Sequence, residues 1–390
     1  MTADGASPIS IGLNLLVLGE RSGGVGRYAR ELLPALLECE PRSPITVVAG
    51  PALPPSMRAE PWASEVTWTG IPFAPGGPAS QLAQYAGLPV LAAGRRLDVL
   101  HSPANTGPGF APGVASVITL HDLIWRRHPE DSMPDPRAQR SMARWIGLGV
   151  RYADRVICDA EAIAEEIVED LGVPRTRIEV APLGCRPPSA TAASEAAVRS
   201  RLGLDSGARV VLSVAQKLRY KNIEALIRAL PALDGDIVLV VPGTPTAHER
   251  TLRELAERLG VTDRVRFPDW LSESELAGLY ALSTVFALPT LAEGFGLPVL
   301  EAMSRGLPVA CSDIPVLREV AGEAATYFAP LEQSSVDTCL SRVLGDRSLR
   351  DDLADRGARR AAQFTWTATA EATLRGYRTA IAARRYGARR

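Results

Sequence analysis

Residues 287–310 read ALPTLAEGFGLPVLEAMSRGLPVA. They overlap a short apolar run, Val285–Leu288, and end in a second one, Pro308–Cys311. Between the two runs lie a loop with Gly294 and Gly296 and a helical pattern from Pro298 to Ser304. Proline suits the first turn of a helix, where its missing N–H has no intrahelical acceptor to lose. Strand, glycine loop, helix, strand is a βαβ unit. Short buried strands joined by helices make a parallel sheet with both faces covered.

The same alternation extends in both directions. Upstream, strands are predicted at Ile9–Val17, Ile45–Val48, Val99–His101, Ser116–Leu120, Arg155–Cys158 and Ile178–Ala181. Helical patterns fall at Val25–Leu37, Ala138–Tyr152 and Ala160–Leu171. In the second half, strands are predicted at Val210–Val214, Ile237–Val241, Val265–Phe267 and Ala325–Phe328 as well. Helical patterns there cover Ile223–Leu230, Glu249–Leu259, Glu273–Ala281, Ser334–Leu344 and about Thr367–Ala383. A chain of 390 residues is too long for one ordinary core. The stretch CRPPSATAAS, Cys185–Ser194, reads as a hinge between two α/β halves. The expected fold class is therefore α/β, with two Rossmann-like domains facing across a cleft. Ligands of such sheets bind at the carboxyl ends of the strands.

Composition narrows the function. With 43 Lys+Arg against 44 Asp+Glu the net charge is −1, so no global field favours nucleic acid. Only Lys217 and Lys221 are lysines, leaving 41 arginines, and the two stand four residues apart. The five cysteines are scattered and show no C-x-x-C spacing, which predicts a reducing, cytoplasmic setting without disulfides or zinc knuckles. No signal peptide and no membrane-spanning run is read, and the four histidines show no metal-ligand spacing. Asp234-Gly235-Asp236 is formally D-x-D, but its place in a turn before a strand makes it a solvated pair.

Gly23-Gly24-Val25-Gly26 follows the first strand and opens a helix, a setting that suits an anionic group. Gly24-x-Gly26-x-x-Ala29 also fits a dinucleotide fingerprint. That fingerprint wants an acid at the end of the second strand, and Ile45–Gly50 ends without one, so a nicotinamide dehydrogenase is the weaker reading. In the second half, Glu293 and Glu301 are eight apart, around glycines that let a ligand approach the backbone. A nucleotide sugar offers hydroxyls to both carboxylates and a diphosphate to the helix N-terminus.

This E-x₇-E segment, with GFGLPVLEAM and the following strand, resembles the retaining glycosyltransferases of family four, which have the GT-B fold. The resemblance extends to Ser22–Leu33 (SGGVGRYARELL), Val117–Glu130 (VITLHDLIWRRHPE), Arg155–Gly184, Leu212–Leu226, Asp269–Tyr280 and Pro289–Pro330. It implies a division into residues 1–186, an acceptor-binding domain; 187–366, a nucleotide-sugar-binding domain; and 367–390, a helix packing back toward the first domain with a basic tail. It implies that Glu301 binds the donor ribose, that Glu293 faces the transferred sugar, that Gly294 is part of the donor site, and that amides at Phe295, Gly296 and Leu297 meet the sugar or diphosphate. Lys221 matches the lysine that neutralises the diphosphate. Gln216 stands where the family commonly has arginine, so the second diphosphate contact falls to Gln216, Lys217 or Arg219, the last two being the candidate cations. His121 lies near donor sugar and acceptor, Gly24 meets the diphosphate, and Trp270-Leu271 borders the nucleobase.

The reaction so implied moves a hexose-type sugar, from a GDP-mannose or UDP-glucose type donor, to an acceptor hydroxyl with retention and without a metal or other cofactor. The acceptor is a saccharide, a lipid-linked saccharide or a small natural product. Arg137, Arg140, Arg144 and Arg151 fall near one helix face, either a solvated basic face or a peripheral contact with an anionic membrane. A sugar-nucleotide epimerase and a non-catalytic sugar-nucleotide-binding subunit are the alternatives.

Overall fold

The computed structural model describes residues 7–19, 23–72, 81–132, 135–185 and 191–387. The chain forms two compact units, residues 1–184 with 365–390, and residues 185–364. Half of the expected hinge, residues 186–190, lies outside the described residues.

The first unit holds seven strands: β1 Ile11–Asn14, β2 Ile45–Ala49, β3 Thr67–Gly70, β4 Val99–Ser102, β5 Ala115–Thr119, β6 Arg155–Cys158 and β7 Ile178–Val180. Their order is β3-β2-β1-β4-β5-β6-β7, and every pairing is parallel. The second unit holds β8 Arg209–Leu212, β9 Ile237–Val240, β10 Val265–Arg266, β11 Val285–Leu288, β12 Val309–Ser312 and β13 Thr326–Phe328. Their order is β10-β9-β8-β11-β12-β13, again all parallel. Counted from its own first strand, the second sheet runs 3-2-1-4-5-6 and the first has the same order with a seventh strand added at the end, with a switch point where the winding reverses: β1/β4 in one unit, β8/β11 in the other.

Parallel strands covered on both faces read as continuous apolar runs, and β2, β9, β11 and β12 are buried along their whole length. The first strand is shorter than its apolar pattern. Asn14 Oδ1 accepts from Leu16 N at 3.2 Å and Leu18 N donates to Leu15 O, so the chain turns where the pattern continues. The half-exposed edge strand β3 has no apolar run to betray it. The helices Glu195–Leu202 and Pro315–Ala321 also escape the pattern reading, as does Arg347–Ala361. The last buries only Leu353, Gly357 and Ala361, one residue per turn. Gly357 lets it approach the helix Leu297–Ser304 closely: a Cβ there would stand 3.2 Å from Met303 Cγ. The last helix, Trp366–Gly387, belongs to the first unit and packs on the helix Gly23–Cys39 and on β5 and β6.

Candidate active site

In the second unit the chemistry gathers beyond β8 and β11, at the switch point. The loop after β8 ends in a short 3-10 turn, Arg219–Lys221, closed by Asn222 in the left-handed region at φ 51°. Asn222 Nδ2 donates to Pro330 O at 2.8 Å, which fixes that turn. The loop after β11 is tied to it: Leu291 N donates to Tyr220 O at 2.7 Å. These ties bring Lys221 Nζ to 2.5 Å from Glu293 Oε1, with the two side chains only 12% and 9% exposed. A charge-assisted contact of this length holds both groups in place, with one edge still open to solvent.

Three residues after Glu293, Gly296 caps the helix Leu297–Ser304 at φ 98°, ψ 38°. Only glycine takes that conformation without strain, and a Cβ would also stand 2.6 Å from Leu317 Cδ2. Pro298 then starts the helix. Phe295 is buried edge-on against Phe364, ring centres 5.8 Å apart. Glu301 lies one turn inside, buried, and accepts from Tyr280 Oη at 3.2 Å. Tyr280 is carried by the helix Glu273–Leu282, whose start is fixed by a capping box of Ser272 and Glu275. Such a cap is worth ~1 kcal/mol. The arrangement offers a cation, two carboxylates and a helix N-terminus around one glycine loop, the requirements of a diphosphate bearing sugars.

Other expected residues fall out differently. Lys217 is not directed outward: its side chain is fully buried, with Nζ 2.6 Å from Gly243 O and 3.1 Å from Glu249 Oε2. Thr246 Oγ1 donates to its carbonyl. The lysine stem is long enough to turn back under its own loop, which spacing alone does not reveal. Gln216 and Arg219 are exposed on that loop. Trp270 is 81% exposed, so simple packing does not explain it, whereas Leu271 is buried. Asp234 and Asp236 are not merely solvated: both are paired with the Arg209 guanidinium, at 2.7 and 2.6 Å.

His121 and Gly24 belong to the first unit. Gly24 lies in the first turn of the helix Gly23–Cys39, and a Cβ on it would meet nothing within 4 Å. His121, just past β5, is held on every side. Its Nδ1 stands 2.7 Å from Asp159 Oδ2, its Nε2 3.4 Å from Pro103 O, and its backbone N–H donates to Asn105 Oδ1 at 2.8 Å. The Tyr28 ring lies edge-on to it, centres 4.7 Å apart. Burial alone would lower its pKa, but the charge and hydrogen bond of Asp159 outweigh it and hold the imidazole above its ordinary range.

Sequence reading missed the partners behind these residues. Asp159 is 2% exposed and lies just past β6. A second histidine, His101 on β4, is fully buried, with Nδ1 2.6 Å from Tyr377 Oη and Nε2 2.7 Å from Thr119 Oγ1. Burial first, and then the nearby charge of His121, push its pKa down to about 3. Thr119 also meets Tyr28 Oη at 3.3 Å. The signal for Asp159 was available: β5 and β6 pair with Thr119 opposite Ile157, so the same offset sets His121 beside Asp159.

Among the described residues, one trio brings metal-ligating atoms within 4.8 Å, namely His128, Glu130 and Asp131. No spacing rule on histidines alone finds it, and Glu130 is exposed. Arg137, Arg140, Arg144 and Arg151 are all exposed on the helix Pro136–Tyr152, while Trp145 stacks on Tyr85 at 4.3 Å. Among the described residues, no helix is long and apolar enough to cross a membrane. Cys39, Cys158, Cys311 and Cys339 are free thiols.

Comparison with known proteins gives the family. The chain is 33% identical to the D-inositol 3-phosphate glycosyltransferase of Kineococcus radiotolerans over 292 residues, 69% of this chain and 66% of that protein. The chain therefore spans just under two thirds of that relative's length. It is 32% identical to the MMP alpha-(1->4)-mannosyltransferase of Mycolicibacterium hassiacum over 311 residues, 74% of this chain and 73% of that one. In fold it superposes on Anabaena HepE, solved in complex with UDP-glucose, with a TM-score of 0.73 at 18% identity, over 93% of this chain and 97% of the other. That likeness makes the fold GT-B. Residues 22–187 match the model of glycosyltransferase family 4 and residues 194–360 that of glycosyl transferases group 1, and the chain belongs to this family of glycosyltransferases.

Proposed function

We propose that the protein transfers a hexose from a nucleoside-diphosphate sugar to an acceptor hydroxyl, with retention of anomeric configuration. The observation that carries this reading is the Lys221–Glu293 pair at 2.5 Å, set just ahead of a glycine-capped helix at the switch point of the second sheet. Donor binding exchanges that contact: the ammonium turns to the diphosphate and the carboxylate to the sugar hydroxyls. Glu301, oriented by Tyr280, takes the ribose hydroxyls. Arg219, exposed on the same loop, is the second cation for the diphosphate in place of the inward-turned Lys217. Trp270 borders the base.

The bond from the anomeric carbon to the diphosphate oxygen breaks, and its electron pair stays on the phosphate. The acceptor oxygen bonds to the same face of the sugar and passes its proton to the departing phosphate oxygen. Lys221 and the helix N-terminus stabilise the charge that develops there. This reading assigns no metal to the step, so turnover survives EDTA. Both GDP-mannose and UDP-glucose type donors suit it. The mannosyl relative supports the first and the UDP-glucose complex of the structural neighbour the second.

The test is a thermal-shift panel with UDP, GDP, dTDP, ADP and NAD, followed by transfer assays with the matching sugar donors. A nucleotide at 100 times its Kd stabilises by about 2.7 kcal/mol. One nucleoside diphosphate is expected to shift the melt. A shift by NAD alone overturns the reading.

A further inference from the structure

The paired ring nitrogens of His121 have a consequence for how it acts. Nδ1 faces a carboxylate oxygen and Nε2 faces a carbonyl oxygen. Both are acceptors only, so each nitrogen needs a proton to make its contact, and a neutral tautomer has one N–H. We infer that Asp159 is a positioning residue that keeps His121 doubly protonated, so that His121 meets its ligand as a hydrogen-bond donor and not as a base. This inference rests on the glycosyl-transfer reading only for the identity of the ligand.

The surroundings support it from every side. Asp159 is 2% exposed, and its second oxygen, Oδ1, has no hydrogen-bond partner among the described residues. The imidazole is therefore the principal counter-charge to that carboxylate. Asp122, next in the chain, adds negative potential, and burial with the Asp159 charge keeps the Tyr28 phenol protonated. His101, on the neighbouring strand, is the nearby group that would compete for the proton. It is held neutral between Tyr377 and Thr119. Two buried histidines thus sit in opposite protonation states.

The contact to Pro103 O is long at 3.4 Å, and the His121 side chain is 11% exposed. An Nε2–H held by a weak internal acceptor is ready to be taken by a better one. The chemistry that fits is an oxygen with lone pairs, a sugar hydroxyl or a phosphoryl oxygen. Asp159 itself touches no ligand. It fixes ring orientation through Nδ1, as partners of functional histidines do.

Four histidines make the test direct: His101, His121, His128 and His248. The full chain, labelled with ¹⁵N in its imidazoles, is titrated by NMR, with assignments from His121→Gln and His101→Gln. At pH 7.5 His121 is expected to show both nitrogens protonated and His101 to show one. In Asp159→Asn the proton affinity of His121 falls at least tenfold, and Asp159→Glu restores it. A neutral His121 in the wild-type protein at pH 7 overturns the inference, even if Asp159→Asn fails to fold. Transfer from UDP-glucose or GDP-mannose is followed in parallel from pH 6 to 8. The wild type is expected to hold its rate, and Asp159→Asn to lose it as pH rises. An imidazolium signal without any transfer leaves this inference standing and counts against the glycosyl-transfer reading alone.

Discussion

The two sheets share a strand order but equip their switch points in opposite ways. In the second unit the polar groups stand beyond the strands: Lys221 pairs with Glu293 past the β8 and β11 ends, and Tyr280 with Glu301 between two helices. In the first unit, behind His121 and Asp159, a polar network sits within the sheet itself. Asn14 bonds Ser102 at 3.0 Å between β1 and β4, and His101 bonds Thr119 between β4 and β5. The Lys221–Glu293 pair, mostly buried but with one edge open to solvent, can trade its partner for a ligand at modest cost. A sealed network cannot, because each unsatisfied member would carry its full desolvation penalty. The loop pair is therefore suited to exchange and the strand network to holding a geometry.

The largest effect expected from breaking this contrast is at Glu293. Glu293→Gln removes the charge that Lys221 holds and the sugar-facing carboxylate together. The turnover is expected to fall on the order of 10³-fold, read as kcat with saturating donor. Removing one partner of a mostly buried pair also lowers stability, by about 3 kcal/mol, and the melt without ligand checks that. An unchanged kcat would end the role assigned to the pair.

The sealed network answers to acid instead. His101 is neutral in the folded chain, its pKa pushed down by burial to about 3, while the unfolded chain has the ordinary value of 6.5. Unfolded chains therefore bind the extra proton between those values, and stability rises with pH across that window. Moving from pH 6.5 down to 3 should cost on the order of 4 kcal/mol through this residue. Denaturant midpoints of wild type and His101→Gln, compared across the window, isolate the contribution. His121 has the opposite sign. Its folded pKa is raised, so its stabilisation is complete below the unfolded value and fades as pH rises through the folded one.

How far the sequence could be read follows the same division. Both sheets were legible because parallel strands buried on two faces leave apolar runs, as in β9 and β11. The loop site was legible because its parts are contiguous: a glycine that must take positive φ, a proline at the first turn and two acids lie within nine residues, 293–301. Lys217 misled because a flexible stem decides where its charge goes, and here it goes inward to Glu249, 32 residues on. The network of the first unit was opaque for another reason. Asp159, Tyr28 and Tyr377 lie far from His121 and His101 in the chain, and only strand register and the return of the last helix bring them together. The arithmetic of β5 against β6 could have supplied Asp159, since both strand ends were placed to within a residue. Tyr377 could not have been found that way.

A smaller effect sharpens the comparison at the backbone. Gly296→Ala places a Cβ at positive φ and 2.6 Å from Leu317 Cδ2. The expected cost is about 2 kcal/mol in stability. If the helix start also tilts away from the diphosphate, nucleotide affinity by calorimetry falls roughly tenfold. An alanine variant as stable as wild type would show that this glycine sets no geometry.

The smallest expected change in stability is at Trp270, whose 81% exposure leaves little packing to lose. Trp270→Ala should shift the folding free energy by no more than about 0.5 kcal/mol. Its loop is fixed independently: Gly243 N donates to the carbonyls of Pro268 and Asp269, both at 3.1 Å, so the backbone keeps its place without the indole. What remains for a large exposed ring is a flat apolar face for a flat partner. Removing a stacked aromatic costs on the order of 1–3 kcal/mol of binding, so nucleotide affinity should drop about ten- to hundredfold. The drop should be similar for the nucleotide and its sugar conjugate, since the ring would touch only the base. A variant that loses affinity for the sugar conjugate but not for the bare nucleotide would instead move Trp270 to the sugar end of the site.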